Sequence, residues 1–209
     1  MTILALEFSS ARRSVALAGD GRLLAEAVEE TTARGTDAFG LIEQALATAK
    51  VSRESIEVIA VGLGPGSYTG IRAAIAVAQG WQLACGIKLL GVSSVAALAG
   101  QAQAQKFFGR VNLVVDAQRG EFYLARWETN AAKCVEISPL KIVPSAEISA
   151  RQAAGEICLG PDLEPKLFPS AAMVAGLAFG QSDFVPGDRL EPVYLREASF
   201  VKSPAGRTI

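Results

Sequence analysis

The stretch TILALEFSSARRSVALAGDGRLLAEAVE, residues 2–29, decides how this chain folds. It holds three apolar runs, 2–8, 13–18 and 22–29, separated by the short turn-like linkers Ser9–Arg12 and Gly19–Gly21. Runs of this length bounded by Gly, Asp and Ser read as strands, and linkers this short join neighbours into an antiparallel meander. Downstream the period changes. In residues 36–50, TDAFGLIEQALATAK, Phe39, Ile42, Leu46 and Ala49 mark one helical stripe and Ala38, Leu41 and Ala45 a second, with Thr36 or Asp37 as the cap. A strand follows at 57–63, then the loop Gly64-Pro65-Gly66-Ser67-Tyr68-Thr69-Gly70, a helix from Ile71 to about Ala84, a strand at 88–92, and a helix capped by Ser93-Ser94 that runs to about Gln105. Three meandering strands followed by alternating helices and strands give the ribonuclease-H-like order, a mixed sheet covered by helices.

The second half opens in the same way. VNLVVD (111–116), the turn 117–120 and EFYLARW (121–127) repeat the pattern of strand, terminal acid, Arg-bearing turn and strand seen at ILALE, FSSARR and SVALA. A third strand is expected at 134–143. Beyond it the match decays, and 160–189 is rich in Pro, Gly and Ala, with room only for short helices. The reading is therefore α/β with two ribonuclease-H-like lobes in tandem, 1–105 and a smaller 106–209. That is the architecture of the actin, sugar-kinase and Hsp70 group, in which a nucleotide sits between the lobes and carboxylates at the first strand ends hold the metal.

Composition limits the chemistry. Half of the 209 residues are hydrophobic, 20% are charged and the net charge is −1, as in a globular protein with a substantial core. No basic stripe marks a surface that binds nucleic acid unaided. There is no histidine at all, which excludes Ser-His-Asp and Cys-His catalysis and His-based metal sites. Cys85, Cys134 and Cys158 are odd in number and lack CxxC spacing, so they read as inert packing residues. The N-terminus lacks the basic start and apolar core of a signal peptide, and no charge-free run of about 20 apolar residues occurs. A cytoplasmic location with no membrane contact is expected.

Two regions carry functional readings. The loop 64–70 is neither a Walker A loop, since no Lys-Ser/Thr follows its last glycine, nor a dinucleotide fingerprint, since position 67 is Ser. It is either an anion site at a helix N-terminus or a tight strand-to-helix corner capped by Ser67 or Thr69. Glu7, Asp116, Gly64, Gly66 and Ser67 are the residues a cofactor or metal would use. Glu7 and Asp116 form a metal pair only if they face each other across the lobes; otherwise they are solvated or capping strand ends. Ser67, Tyr68 and Cys85 have no His to activate them as nucleophiles. In the helix after the loop, Ile71, Ala74, Ile75, Ala78 and Gln82 can cover the sheet. Ala73, Ala76, Val77, Gly80 and Ala84 form a second, small-residued face nearly free of charge. Another subunit would cover it, with the C-terminal segment of the same chain as the alternative. The expected interface comprises Phe39, Ile42, Leu46, Tyr68, Arg72, Ala73, Ala76, Val77 and Gly80.

Residues 62–99, GLGPGSYTGIRAAIAVAQGWQLACGIKLLGVSSVAALA, resemble the signature of the TsaB (YeaZ) family. VVDAQRGEFYLA (114–125) and PVYLRE (192–197) resemble two further family segments, so the likeness spans nearly the whole chain. It implies a non-catalytic subunit of the complex that installs N6-threonylcarbamoyladenosine at position 37 of ANN-decoding tRNAs. It implies a TsaD-type paralogue and a TsaE-type ATPase as partners, a homodimer when alone, and tRNA contact only through the complex. It implies no cofactor of its own, with ATP and metal in the partner subunits, and no protease activity. A small ATP-binding phosphotransferase or ATPase of the same fold is the alternative. Two departures favour scaffolding. Family members usually carry strand-Asp-Thr-Ser where this chain has Glu7-Phe8-Ser9, and often a His-Ser pair where this chain has Thr36-Asp37.

Overall fold

Strands β1 (Thr2–Glu7) and β2 (Arg12–Gly19) are buried almost throughout, the mark of strands covered on both faces. β3 (Arg22–Glu30) buries only Ala25 and Ala27, as an edge strand does. The computed structural model describes residues 1–30 and 37–195. β1–β2 and β2–β3 pair antiparallel, while β4 (Val58–Gly62) and β5 (Lys88–Val92) run parallel to β1, giving the order β3-β2-β1-β4-β5. Parallel neighbours need helical crossovers. α1 (Ala38–Ala49) joins β3 to β4, and α2 (Tyr68–Cys85) joins β4 to β5. Asp37 caps α1 by accepting from Gly40 N–H at 2.9 Å; Thr36, the other expected cap, lies outside the described residues.

The second sheet repeats the first with one strand fewer. β6 (Gly109–Asp116), β7 (Glu121–Thr129), β8 (Cys134–Pro144) and β9 (Ile157–Leu159) lie in the order β8-β7-β6-β9, antiparallel except for the parallel pair β6–β9. Replacing β6 by β1 reproduces β3-β2-β1-β4, so the duplication read in the sequence is real and the second lobe is the reduced copy. Its crossover helix α4 (Ser145–Ala153) and the three-residue β9 fall where the sequence pattern had decayed. α3 (Ser94–Ala104) joins the lobes: Ala97 packs on the first sheet, and Val95, Leu98, Ala99 and Ala102 pack on Val111, Leu113 and Ala125 of the second.

The expected boundary between 105 and 106 does not divide the chain cleanly, because the C-terminal part returns to the first sheet. One face of that sheet, Leu4, Leu6, Leu17, Ile59 and Val61, packs on α1 and α2. The other face, Ile3, Ala5, Ala16, Val58 and Ala60, is covered by Ala171, Val174, Ala175 and Ala178 of α5 (Ala171–Ala178). Alanine on both surfaces lets helix and sheet approach closely. The Ser14 hydroxyl accepts from Ala171 N–H at 2.8 Å and fixes the start of α5. Val185 then bridges Leu89, and Val193 N–H donates to Leu63 C=O at 2.9 Å.

Candidate functional site

The corner between β4 and α2 is held against the end of β1. Gly66 has φ +148°, and a Cβ there would overlap the Ser9 carbonyl, which accepts from Ser67 N–H at 2.7 Å. Ser67 then caps α2, its hydroxyl accepting from Gly70 N–H at 3.3 Å. Of the two sequence readings of this loop, the structure displays the capped strand-to-helix corner.

α2 turns Ile71, Ala74, Ile75 and Ala78 onto the sheet. Its other side, with α1, walls an apolar groove of about 710 Å³ lined by Phe39, Ile42, Ile56, Ala76, Val77, Gly80, Trp81 and Ala84 and edged by Glu43, Arg53, Glu57 and Lys88. Phe39 is 69% exposed, and Leu83, on the same stretch of α2, is 89% exposed. Two interface expectations need correction. Ile42 and Leu46 are 1% and 5% exposed and belong to the chain's own core, because α1 lays them on the sheet beside Ala38, Leu41 and Ala45 and leaves only Phe39 of the first stripe fully exposed. Ile42 reaches the groove only as its floor. The C-terminal segment also covers part of α2: Leu190 joins the core, and Gly187 bonds Gln79 and Gln82. The groove itself stays open.

Tyr68 and Arg72 stand at the other end of α2. Tyr68 is 55% exposed, its ring centroid 5.9 Å from that of Tyr194, with the Arg72 guanidinium 4.8 Å over the Tyr68 ring. Hydrogen bonding to Tyr194 pushes the Arg72 pKa up. This cluster forms the lip of the interlobe cleft rather than a wall of the groove. Cys85, expected as packing, is exposed at the groove's end; Cys158 is buried and Cys134 half-buried.

The cleft, about 810 Å³, is bounded by Ser9, Arg13, Gly66, Ser67 and Tyr68 on one side and by Asp116, Gln118, Tyr123, Asp162 and Lys166 on the other. Glu7 and Gly64 lie beneath it, not in it. Glu7 has no exposed surface: Oε1 accepts from Ser9 N–H at 2.7 Å and Oε2 from Ser94 Oγ–H at 2.7 Å. Burial pushes its carboxyl above the ordinary range, against the pull of those bonds. Asp116 is turned to its own hairpin, accepting from Gln118 N–H and Nε2–H at 2.7 Å each. Asp162 is pushed up by burial and by Asp116. The two strand-end carboxylates, Glu7 and Asp116, therefore do not converge as a metal pair. Among the described residues no cluster of three His, Cys, Asp or Glu side chains is placed to hold a metal. None of the described helices is long and apolar enough to cross a membrane.

A duplicated pair of ribonuclease-H-like sheets, a cleft in which the strand-end acids Glu7 and Asp116 do not meet and an open groove on the first lobe define an actin-like two-lobed protein whose two most exposed large apolar side chains, Leu83 and Phe39, stand on helices of the first lobe. A family model described as "TsaD: tRNA N6-adenosine threonylcarbamoyltransferase" matches residues 36–144. The chain is 30% identical to the tRNA threonylcarbamoyladenosine biosynthesis protein TsaB of Escherichia coli (strain K12), over 94% of this chain and 95% of that one. It is 27% identical to the protein of the same name from Bacillus subtilis (strain 168), over 66% of this chain and 60% of the other. The structure of YeaZ from Pseudomonas aeruginosa superposes with a TM-score of 0.77 at 26% identity, covering 93% of this chain and 99% of that one. The chain belongs to the TsaB (YeaZ) family.

Proposed function

We propose that this chain is a non-catalytic subunit in the synthesis of N6-threonylcarbamoyladenosine at position 37 of ANN-decoding tRNAs, and that its groove receives a TsaD-type paralogue. The observation that carries the reading is the groove between α1 and α2, with Phe39 standing exposed beside an apolar floor. A monomer gains nothing from displaying such a surface, whereas a helical interface buries it. The internalised Glu7 supports the non-catalytic half: the acid at the end of β1 has both oxygens engaged inside the protein. ATP and metal then belong to the partner subunits. The same face serves a homodimer when the paralogue is absent, a TsaE-type ATPase joins the assembled pair, and tRNA is met through the complex in the cytoplasm. Titration of the purified chain with a TsaD-type paralogue tests the reading. A saturable complex is expected, and a wild-type chain that forms none defeats it.

A further inference from the structure

Three segments distant in sequence meet at one buried carboxylate. Glu7 closes β1, and its Oε1 holds the backbone of Ser9 in the turn that follows. Its Oε2 accepts from the hydroxyl of Ser94, the first residue of α3. That hydroxyl accepts in turn from Gly64 N–H at 3.0 Å, and Ser94 N–H donates to Gly64 C=O at 3.1 Å. Gly62 leaves room for the arrangement: a Cβ there would overlap Oε2 and stand 3.0 Å from Ser94 Oγ. Gly64 begins the corner that delivers Tyr68 to the cleft lip, with the Arg72 guanidinium over its ring, while Val95 and Leu98, one and four residues past Ser94, pack on the second lobe.

We infer that Glu7 is a positioning residue: through Ser94 it locks the Gly64–Tyr68 corner to α3 and so sets the pose of Tyr68 and Arg72 relative to the second lobe. An apolar side chain of similar size would fill this space, but it would not fix directions. A carboxylate receiving donors from the following turn and from α3 fixes them, because such bonds are short, directional and unscreened in a dry interior. The consequence for partner binding runs through α2, which starts at this corner and walls the groove, and it rests on the proposed function above; the internal lock does not.

Hydrogen exchange on the full-length chain reads the lock. Ser94→Ala removes the bridging hydroxyl and leaves Glu7 in place. Loss of one such bond is expected to raise exchange at the Gly64 and Ser67 amides about tenfold, while Leu4, Leu6, Ile59 and Val61 in the sheet keep native rates. Glu7→Gln has the same shape and can still accept from Ser9 and donate to Ser94, but it leaves the Ser94 hydroxyl proton without its acceptor, so its corner amides should rise too, though Ser94 keeps its bond from Gly64 N–H and the rise stays below that of Ser94→Ala. If Ser94→Ala does not fold, Gly62→Ala displaces Oε2 and should give the same local rise. Unchanged corner exchange overturns the inference, and so does an equal rise across the sheet, which marks general destabilisation. Paralogue titration is the second arm, with Ser94→Ala about three- to tenfold weaker and Glu7→Gln weakened less than Ser94→Ala. Loosened corner amides with native affinity would overturn the link to the partner face. A native chain that binds no paralogue defeats the proposed function and leaves exchange alone to decide the lock.

Discussion

Placing a carboxylate at Ala76 separates folding from partner binding. Ala76 is exposed on α2 and lines the groove, two residues from Ala74, which is wholly buried against the sheet. In the free chain, Ala76→Glu exchanges one good helix former for another on an open surface, at a cost below about 0.7 kcal/mol. For a chain of this size that lowers Tm by less than about 3 °C. In the complex the same carboxylate would be enclosed among Phe39, Val77, Gly80 and Trp81, while the groove's cations are engaged elsewhere, Arg53 with Glu43 and Lys88 over the Phe184 ring. An unpaired buried charge costs about 3–5 kcal/mol, which weakens binding roughly a hundred- to several-thousand-fold. Ala74→Glu, by contrast, should abolish folding. Scanning calorimetry of the free variants, with calorimetric titration against a TsaD-type paralogue, gives both numbers. A folded Ala76→Glu variant that binds within about threefold of the native chain would refute the assignment of the groove.

The cleft should decline Mg-ATP: titration of the isolated chain is expected to show no binding tighter than about 1 mM, and micromolar affinity would restore the phosphotransferase alternative. Cys85 should react with a thiol reagent in the free chain and be shielded once the groove is filled, whereas buried Cys158 stays unlabelled in both states; equal labelling of Cys85 with and without partner places the interface elsewhere. Phe8→Ala, at a site with no exposure, should cost about 3–5 kcal/mol in urea unfolding, and a loss below about 1 kcal/mol would contradict the packing. Glu7, raised in the folded state chiefly by burial, binds its proton more tightly there than in the unfolded chain. Its contribution is complete below the ordinary carboxyl pKa of 4.5 and is lost as pH rises through the raised value. Relative to Glu7→Gln, the native chain should therefore lose stability over that rise; a pH-independent difference between the two would show that Glu7 is not raised.

The strands β1 to β8 were legible because each is an apolar run bounded by turn residues, and the capped corner was one of two readings of its loop, with Ser67 and Thr69 both able to cap. α4 and β9 were not legible: α4 buries a single side chain, Ile148, and β9 is three residues long, so neither displays a period. Periodicity located the stripes of α1 but not their direction, and Ile42 and Leu46 proved to face the core while Phe39 faces out. The burial of Glu7 depends on Ser94, 87 residues away, and on the missing side chain at Gly62. A strand-terminal acid alone reads equally well as ligand, cap or solvated charge. The docking of α5 depends on a contact between Ser14 and Ala171, 157 residues apart, which no local pattern encodes.

That long-range contact has a consequence for biosynthesis. On the ribosome, β1 to β5 emerge early, with α1 and α2 to cover one face. The opposite face, Ile3, Ala5, Ala16, Val58 and Ala60, waits for α5. The whole second lobe must be synthesised before that helix leaves the exit tunnel, so the first lobe cannot be sealed in order of synthesis as an N-terminal domain usually is. The nascent chain carries an open, alanine-lined sheet through most of its translation. Emergence of α5, rather than completion of the first hundred residues, is what closes that face.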